Sequence, residues 1–289
     1  MNFHQYPKAQ GLYSPDFERD ACGIGVYVNF KGIPSHDIVK NGLEMLCQLE
    51  HRAGRGGDGT GDGAGIMVQI PDAFFRLNCP ELQLPETGEY GVGQLFFTEN
   101  EEDRLAIEAK INELIEEEKQ TLIGWRTAPT NKDGLSEIAG SSAPIVRQVF
   151  VRKNASDRLA FERKLYVIRK QVEHWAEKQG FEFYCPSFSS QTMVFKGLLA
   201  PEEVSSFYKD LQDEKFVSAF ALVHSRYSTN TFPSWKRAHP NRYIIHNGEI
   251  NTLRGNINWM RAREQQFVSE AFGEDLQKIL PIIDTTGSD

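Results

Sequence analysis

Hydrophobic and polar positions repeat with two different periods along the chain, and these periods predict both strands and helices. Period-two alternation over residues 22–30 predicts a first strand on which Cys22, Ile24, Val26, Val28 and Phe30 share the core-facing side. Helical spacing over residues 37–48 follows a Pro-Ser start signal. It predicts a helix whose apolar stripe includes Cys47, which we expect in the core because free cysteines are commonly buried.

The remaining pattern predicts a layered protein of mixed helix and strand. Amphipathic helices are predicted over residues 101–119 and 156–179, the second ending at Gly180, and another begins near Asn251. Short apolar runs predict strands over residues 66–70, 144–151, 216–223 and 242–246, with two more between 183 and 199. The elements interleave without a regular βαβ rhythm, which favours an α+β architecture over a Rossmann sheet.

Composition excludes several classes of protein. The chain has 289 residues, 40% of them hydrophobic, and a formal net charge of −8, which is typical of an ordered globular protein and unlike a nucleic-acid-binding domain. No apolar run approaches the roughly 18 residues of a membrane span. The first 21 residues lack the apolar core of a secretory signal. The four cysteines have no metal-ligand or disulfide spacing, so we expect a cytoplasmic protein without a metal site.

A glycine-rich stretch lies between the first helix and the second predicted strand. Residues 53–65 contain seven glycines and two aspartates, but not the Gly-Lys-Ser/Thr ending of a phosphate-binding loop. The stretch is therefore either a loop that approaches another part of the protein closely or a flexible connection.

Candidate chemistry lies at the ends of predicted strands. The strand over residues 216–223 leads into His224-Ser-Arg-Tyr-Ser-Thr-Asn230, and the strand over residues 242–246 leads into Asn247-Gly248-Glu249. Cys22 follows a polar leader of 21 residues. If that leader were removed, Cys22 would carry a thiol and a free α-amine, and an α-amine with a pKa near ~8 can act as the base for its own thiol.

These motifs together resemble a known family. The chain resembles the class II glutamine amidotransferase domain that opens the large subunit of glutamate synthases, and the similarity spans essentially its whole length. The residues that carry it are Asp20-Ala-Cys-Gly-Ile-Gly25, Leu49-Glu-His-Arg52, Thr60-Gly-Asp-Gly-Ala-Gly65, Ser189-Ser-Gln-Thr192, His224-Ser-Arg-Tyr-Ser-Thr-Asn230 and His246-Asn-Gly-Glu-Ile-Asn251. The pattern departs from the family at Ala53, where glycine is expected after the arginine.

The resemblance implies an N-terminal-nucleophile hydrolase with a four-layer αββα sandwich. Residues 1–21 would then be a propeptide, and residues 22–289 a class II amidotransferase domain truncated at its C-terminal end. Cys22 would be the nucleophile that hydrolyses L-glutamine to glutamate and ammonia through a thioester. Asn247 and Gly248 would stabilise the oxyanion. Arg226 would bind the substrate carboxylate and Asp289 the ammonium, with Tyr227 in the substrate-closing loop.

Each of these assignments competes with an ordinary structural interpretation. Asn-Gly is also a common hairpin turn, an arginine can form a surface ion pair, a terminal aspartate is usually a solvated charge, and residues 187–192 can be a simple Ser-rich turn. His51 and Arg52 are expected to brace the loop near Cys22.

Function at the level of the whole protein has three alternatives. In a glutamate synthase the ammonia would pass to 2-oxoglutarate in later domains, which use FMN, an iron–sulfur cluster and a small electron-donating subunit or ferredoxin. The domain could instead serve another acceptor. It could also be a catalytically silent binding or regulatory module of the same fold. The combination of Cys22, Arg226, Asn247, Gly248 and Asp289 favours an active glutaminase over the silent module, and the long span between Cys22 and Arg226 favours the synthase over another acceptor. Composition and charge predict neither nucleic-acid nor membrane partners.

Overall fold

Two antiparallel sheets form the centre of the chain, which we describe from a computed structural model at residues 8–12, 14, 23–227, 231–238, 242 and 252–285. Within these residues the first sheet consists, in order, of β1 (Ile24–Val28), β8 (Phe220–Ser225), β2 (Ala64–Gln69) and β7 (Thr192–Gly197). The second consists of β4 (Thr121–Thr127), β5 (Ile145–Arg152), β3 (Tyr90–Phe97) and β6 (Phe183–Ser189). Both sheets are antiparallel throughout, as expected for an α+β protein.

Helices cover the outer face of each sheet. Helix α1 (His36–Gln48) packs on β1, β2 and β8, while α3 (Glu101–Glu117) and α5 (Arg158–Gln179) pack on each other and on β4 and β6. Strands β6 and β7 contact each other between the sheets, so the layers follow the order helix, sheet, sheet, helix. The shorter helices are α2 (Asp72–Asn78), α4 (Glu137–Ser141) and α6 (Glu203–Phe207), and α7 (Leu253–Glu264) follows the described sheets. No helix in the described ranges is long and apolar enough to cross a membrane.

Local sequence explains where the long helices begin and end. Asn100 caps α3 by accepting hydrogen bonds from the backbone N–H groups of Glu102 and Asp103, and Asp157 caps α5 through the N–H of Ala160. Helix α5 ends at Gly180 in the left-handed conformation, as the sequence predicts.

Two sequence expectations about the core are wrong. Cys47 is exposed, because the buried stripe of α1 runs through Val39, Leu43 and Leu46 and places position 47 beside it. Phe30, two residues beyond the end of β1, is fully exposed, and Val26 and Val28 are also exposed, at 56% and 45% of their surface. Val26 and Val28 lie on β1, the outermost strand of the first sheet as described. No layer among the described residues covers the face of this strand on which the two valines lie.

A chain of buried and partly buried polar side chains joins the second sheet to β7 of the first sheet. Arg126 on β4 donates two hydrogen bonds to Asp210, at 2.6 and 2.8 Å, and a third to Gln148 Oε1 at 2.8 Å. Gln148 donates to Gln94 Oε1 at 2.8 Å, and Gln94 in turn donates to the carbonyl oxygen of Val194 on β7 at 3.1 Å. Because each of these contacts satisfies a buried polar group, the network fixes how β7 lies against the second sheet.

Candidate active site

Four strand ends of the first sheet meet at one edge. Strands β1 and β2 begin there, at Ile24 and Ala64, and the antiparallel strands β8 and β7 end there, at Ser225 and Gly197. The backbone N–H of Ser225 donates to the carbonyl oxygen of Gly23 at 2.8 Å, which extends the pairing one residue beyond β1. The sheet therefore holds the residue after Cys22 directly beside the residue before Arg226.

Arg226 is buried at this edge, with only 7% of its surface exposed. Its backbone N–H donates to the carbonyl oxygen of Gly63 at 2.8 Å, and its carbonyl oxygen accepts from the N–H of Gly54 at 3.0 Å. The guanidinium donates to the hydroxyl of Thr231 at 2.7 Å and to the carbonyl oxygen of Asp62 at 3.4 Å. Backbone pairing and side-chain bonds together fix the guanidinium, the group that binds a carboxylate with two parallel hydrogen bonds.

The glycine-rich stretch is a tightly packed loop, so the first of its two sequence interpretations is confirmed. Arg55 and Gly61 form a β-bridge, and the N–H of Asp62 donates to the carbonyl oxygen of Gly54 at 2.9 Å. A Cβ atom on Gly61 would lie 2.4 Å from the backbone nitrogen of Ala200 and 2.5 Å from the carbonyl carbon of Leu199. Only glycine allows this approach to the segment that follows β7.

The segment after Arg226 folds back over the same edge. Residues Trp235–Arg237 form a 3-10 turn, and the hydroxyl of Ser234 caps it by accepting a hydrogen bond from the N–H of Arg237. Trp235 is buried, and its ring packs 5.0 Å from the ring of Phe207, between centroids. Its edge lies so close to Gly197 that a Cβ atom there would be 2.2 Å from Trp235 Cζ3. The turn is therefore docked against the end of β7.

Lys196 is a residue of this edge that the sequence reasoning missed. It is completely buried on β7, and its Nζ donates to Tyr184 Oη and to the carbonyl oxygen of Lys236, both at 2.9 Å. Burial lowers the pKa of Lys196, since it disfavours the charged amine. The available indication was a lysine inside the apolar run of residues 193–200.

A second cation also lies against Tyr184. The guanidinium of Arg242 stacks over the Tyr184 ring at 5.3 Å, pairs with Glu173 at 3.2 Å and donates to the carbonyl oxygen of Cys185. Burial opposes ionisation of Tyr184, but the cations of Lys196 and Arg242 outweigh it and lower the pKa of this phenol. These contacts thus anchor the chain at Arg242, five residues before the predicted Asn247 in sequence.

The other predicted site residues fall into two groups. Tyr227 directly follows Arg226 and is 63% exposed, so it is accessible to a ligand at this edge. Cys22, Asn247, Gly248 and Asp289 lie outside the described residues, and the structure tests neither their positions nor their roles.

The Ser-rich turn between β6 and β7 has a structural explanation. Ser189 and Ser190 donate their hydroxyl hydrogens to the carboxylate of Glu162 on α5, at 3.2 and 2.5 Å, and the N–H of Ser190 adds a third bond at 2.6 Å. These contacts hold the hairpin on the helix. His51 makes a local contact, in which its Nδ1 lies 3.0 Å from the carbonyl oxygen of Gln48.

A separate groove of about 720 Å³ lies between α5, the β6–β7 turn and residues 267–282. Its walls are mostly apolar and include Tyr166, Phe272 and Ile279. Arg242, which stacks on Tyr184, also lines this groove. Arg226 and Lys196 are not among its lining residues.

Comparison with known proteins shows which family and which relatives the sequence is similar to. The family model described as glutamine amidotransferases class-II matches residues 22–289, so the match begins at Cys22. The chain is 65% identical over 292 residues to the glutamate synthase [NADPH] large chain of Bacillus subtilis. It is 43% identical to the glutamate synthase [NADH] of Schizosaccharomyces pombe and 40% identical to the ferredoxin-dependent glutamate synthase 1, chloroplastic/mitochondrial, of Arabidopsis thaliana.

These alignments cover nearly all of this chain and a small part of each relative. They include 100%, 98% and 98% of the chain, in the same order, but only 19%, 14% and 18% of the relatives. The similarity therefore concerns one domain-sized region of much longer proteins, and the relatives' names differ in the electron donor they mention.

Proposed function

The chain belongs to the class II glutamine amidotransferases, and we propose that it hydrolyses L-glutamine to glutamate and ammonia as the glutaminase domain of a glutamate synthase. The observation that carries this proposal is the buried guanidinium of Arg226 at the edge where β1 begins, two residues after Cys22. The backbone pairing of Ser225 with Gly23 brings Arg226 close to the residue that follows Cys22 in sequence. A fixed arginine near a potential N-terminal cysteine suits a substrate that has an α-carboxylate at one end and a carboxamide at the other.

Cys22 is the nucleophile in the proposed mechanism. Its α-amine takes the thiol proton, and the thiolate attacks the carbon of the side-chain amide, so that a C–S bond forms and the carbonyl oxygen becomes an oxyanion. Collapse of this tetrahedral intermediate breaks the C–N bond, and the leaving nitrogen takes the proton and departs as ammonia. Water then attacks the γ-glutamyl thioester, which releases glutamate and restores the thiol.

The remaining roles follow from the charges of substrate and intermediate. Asn247 and the N–H of Gly248 donate hydrogen bonds to the oxyanion, where the loss of one donor typically costs about 10²–10³ in rate. Arg226 binds the α-carboxylate, Asp289 binds the α-ammonium and Tyr227 contributes to the loop beside the substrate. Because both ends of the amino acid are bound, the amide carbon is held near the thiol.

Two parts of the proposal concern chain organisation. Residues 1–21 form a propeptide whose removal exposes the α-amine of Cys22, and the match of the family model from residue 22 supports this division. In the complete synthase, ammonia passes to 2-oxoglutarate in other domains. FMN, an iron–sulfur cluster and a small subunit or ferredoxin act there, in the cytoplasm, and no step of glutamine hydrolysis uses them.

The decisive experiment combines mass spectrometry with a glutaminase assay. By mass spectrometry, we expect the purified chain to begin at Cys22. In the assay it should release ammonia and glutamate from glutamine in equal amounts, and Cys22→Ala should release neither product. A diazoketone analogue of glutamine should label Cys22. Cys185 should not react, because burial raises the pKa of its thiol to about 12.

Cys47→Ser is the matched control, since Cys47 is exposed and its thiol could react without any catalytic role. This variant should hydrolyse glutamine like the parent chain. An active chain that retains Met1, or labelling that disappears in Cys47→Ser rather than in Cys22→Ala, would contradict the proposed nucleophile. A correctly processed chain without glutaminase activity would favour the silent module.

A further inference from the structure

Lys196 has an environment that packing alone does not explain. Its surface exposure is zero, and its row in the first sheet consists of Lys196, Gly65, His224 and Ile24 on neighbouring strands. Burying an ammonium group is costly unless hydrogen bonds replace its water, and an apolar side chain of similar length would fill the same space without that cost. The lysine must therefore be understood through the groups it bonds.

Those groups belong to two different layers of the site. Tyr184 Oη is provided by β6 of the second sheet, whereas the carbonyl oxygen of Lys236 belongs to the 3-10 turn after Arg226. The last carbonyl groups of a helical turn have no hydrogen-bond partner in the next turn of the helix, so they need one from elsewhere. Lys196 thus ties the turn to both sheets through one buried ammonium.

The same turn is linked to Arg226, the residue proposed to bind the substrate carboxylate. Thr231, at the start of the segment 231–238, accepts a hydrogen bond from Arg226, and Trp235 packs against Gly197, the neighbour of Lys196 in sequence. A displacement of the turn would therefore move Thr231 and remove one of the hydrogen bonds that orient the guanidinium of Arg226. In addition, Lys196 and Arg226 are close enough for the positive charge of Arg226 to contribute to the lowered pKa of Lys196.

We propose that Lys196 is a positioning residue for glutamine binding: its bonds to Tyr184 and to the Lys236 carbonyl hold the segment 231–238 in the position that orients Arg226 toward the substrate carboxylate. This inference rests on the proposed glutaminase function. It assigns Lys196 no contact with the reacting atoms, so its loss should weaken substrate binding much more than it slows the chemistry.

The test compares Lys196→Met with Tyr184→Phe and with the surface control Lys178→Met. We expect Lys196→Met to raise KM for glutamine about tenfold, equivalent to about 1.4 kcal/mol, with kcat reduced less than about threefold. Tyr184→Phe removes the hydroxyl but keeps the ring, so KM should rise in the same direction by a smaller factor. Lys178 is exposed in the last turn of α5, and its variant should match the parent chain.

Two alkylating reagents separate positioning from a general structural role. Inactivation by a low concentration of the diazoketone analogue of glutamine depends on recognition of the carboxylate, and it should slow in Lys196→Met by about the factor seen in KM. Inactivation by iodoacetamide does not need that recognition and should keep the parent rate. A variant that is merely unstable would lose active protein without this difference between the two reagents.

The possible failures are distinguishable. If the parent chain hydrolyses glutamine and Lys196→Met keeps KM within about twofold, the inference is wrong and the proposed function stands. A fall in kcat alone, with both reagents slowed equally, would also overturn it. If Lys196→Met does not fold, Tyr184→Phe decides, and an unchanged KM in that variant refutes the positioning role. A parent chain without glutaminase activity refutes the proposed function itself.

Discussion

Removing the carboxylate of Asp210 should destabilise the fold substantially, because it leaves the guanidinium of Arg126 buried without its main partner. The side chains of Arg126 and Asp210 are only 14% and 5% exposed and share two short hydrogen bonds. Breaking such a buried pair by deleting one partner typically costs about 3–5 kcal/mol. We expect Asp210→Ala to lower the free energy of unfolding by about 3 kcal/mol, at the lower end of that range. The reason is that Gln148 still accepts a bond from Arg126 and that the centroid of the Phe74 ring lies 5.4 Å from the guanidinium carbon.

Urea unfolding followed by circular dichroism measures this free energy directly. Replacing both partners, with Arg126→Met and Asp210→Leu together, should recover most of the loss, because the double variant leaves no unpaired buried charge. The exposed pair of Lys132 and Glu99 is the control: its side chains are 42% and 75% exposed, so Glu99→Ala should cost no more than about 1 kcal/mol. A loss below about 1 kcal/mol in Asp210→Ala, or a double variant no more stable than the single one, would refute the reasoning.

Three further predictions concern the site and its support. Arg226→Lys should raise KM for glutamine about tenfold to a hundredfold, because an ammonium cannot form paired bonds with the carboxylate. The surface control Arg158→Lys should keep the parent KM, and an unchanged KM in Arg226→Lys would contradict the proposed role. Gly61→Ala should cost about 1–3 kcal/mol in urea unfolding because its methyl group meets backbone atoms, whereas Gly57→Ala, with open space around it, should be nearly neutral. Burial raises the pKa of Asp72, but hydrogen bonds from Arg76 and Tyr90 outweigh that effect and lower it below the ordinary value of 3.8. The stability that the ionised carboxylate adds is therefore fully present above about pH 4 and is lost as the pH falls through the lowered pKa. In acid unfolding, the difference in stability between the parent chain and Asp72→Asn should shrink over that pH range. A difference that stays constant would refute this prediction.

Much of the fold was predictable because its periods are strong. The helices at Glu101–Glu117 and Arg158–Gln179 were predicted within two residues at each end, since caps and stops are encoded locally. Strand β3, Tyr90–Phe97, was not predicted. It is buried on both faces along its whole length, so it has no alternation to detect.

Burial was less predictable than secondary structure. Helical spacing predicted Cys47 as part of the apolar stripe of α1, but a residue one position from the buried Leu46 can lie on the solvent side. Alternation identified β1 correctly while assigning its Val26 and Val28 to the core. The exposure of a strand face depends on which layer covers it, and that layer comes from distant parts of the chain.

The sequence by itself determined the alternation of strands and helices, the family resemblance and the residue types available for glutamine chemistry, because those features depend on local spacing and side-chain identity. Only the tertiary structure decided that four strand ends share one edge, that the glycine-rich loop packs against the segment after β7, and that Lys196 bonds both Tyr184 and the turn after Arg226. These contacts join residues far apart in sequence. A lysine in an apolar run acquires its role only from the acceptors that the folded layers bring to it.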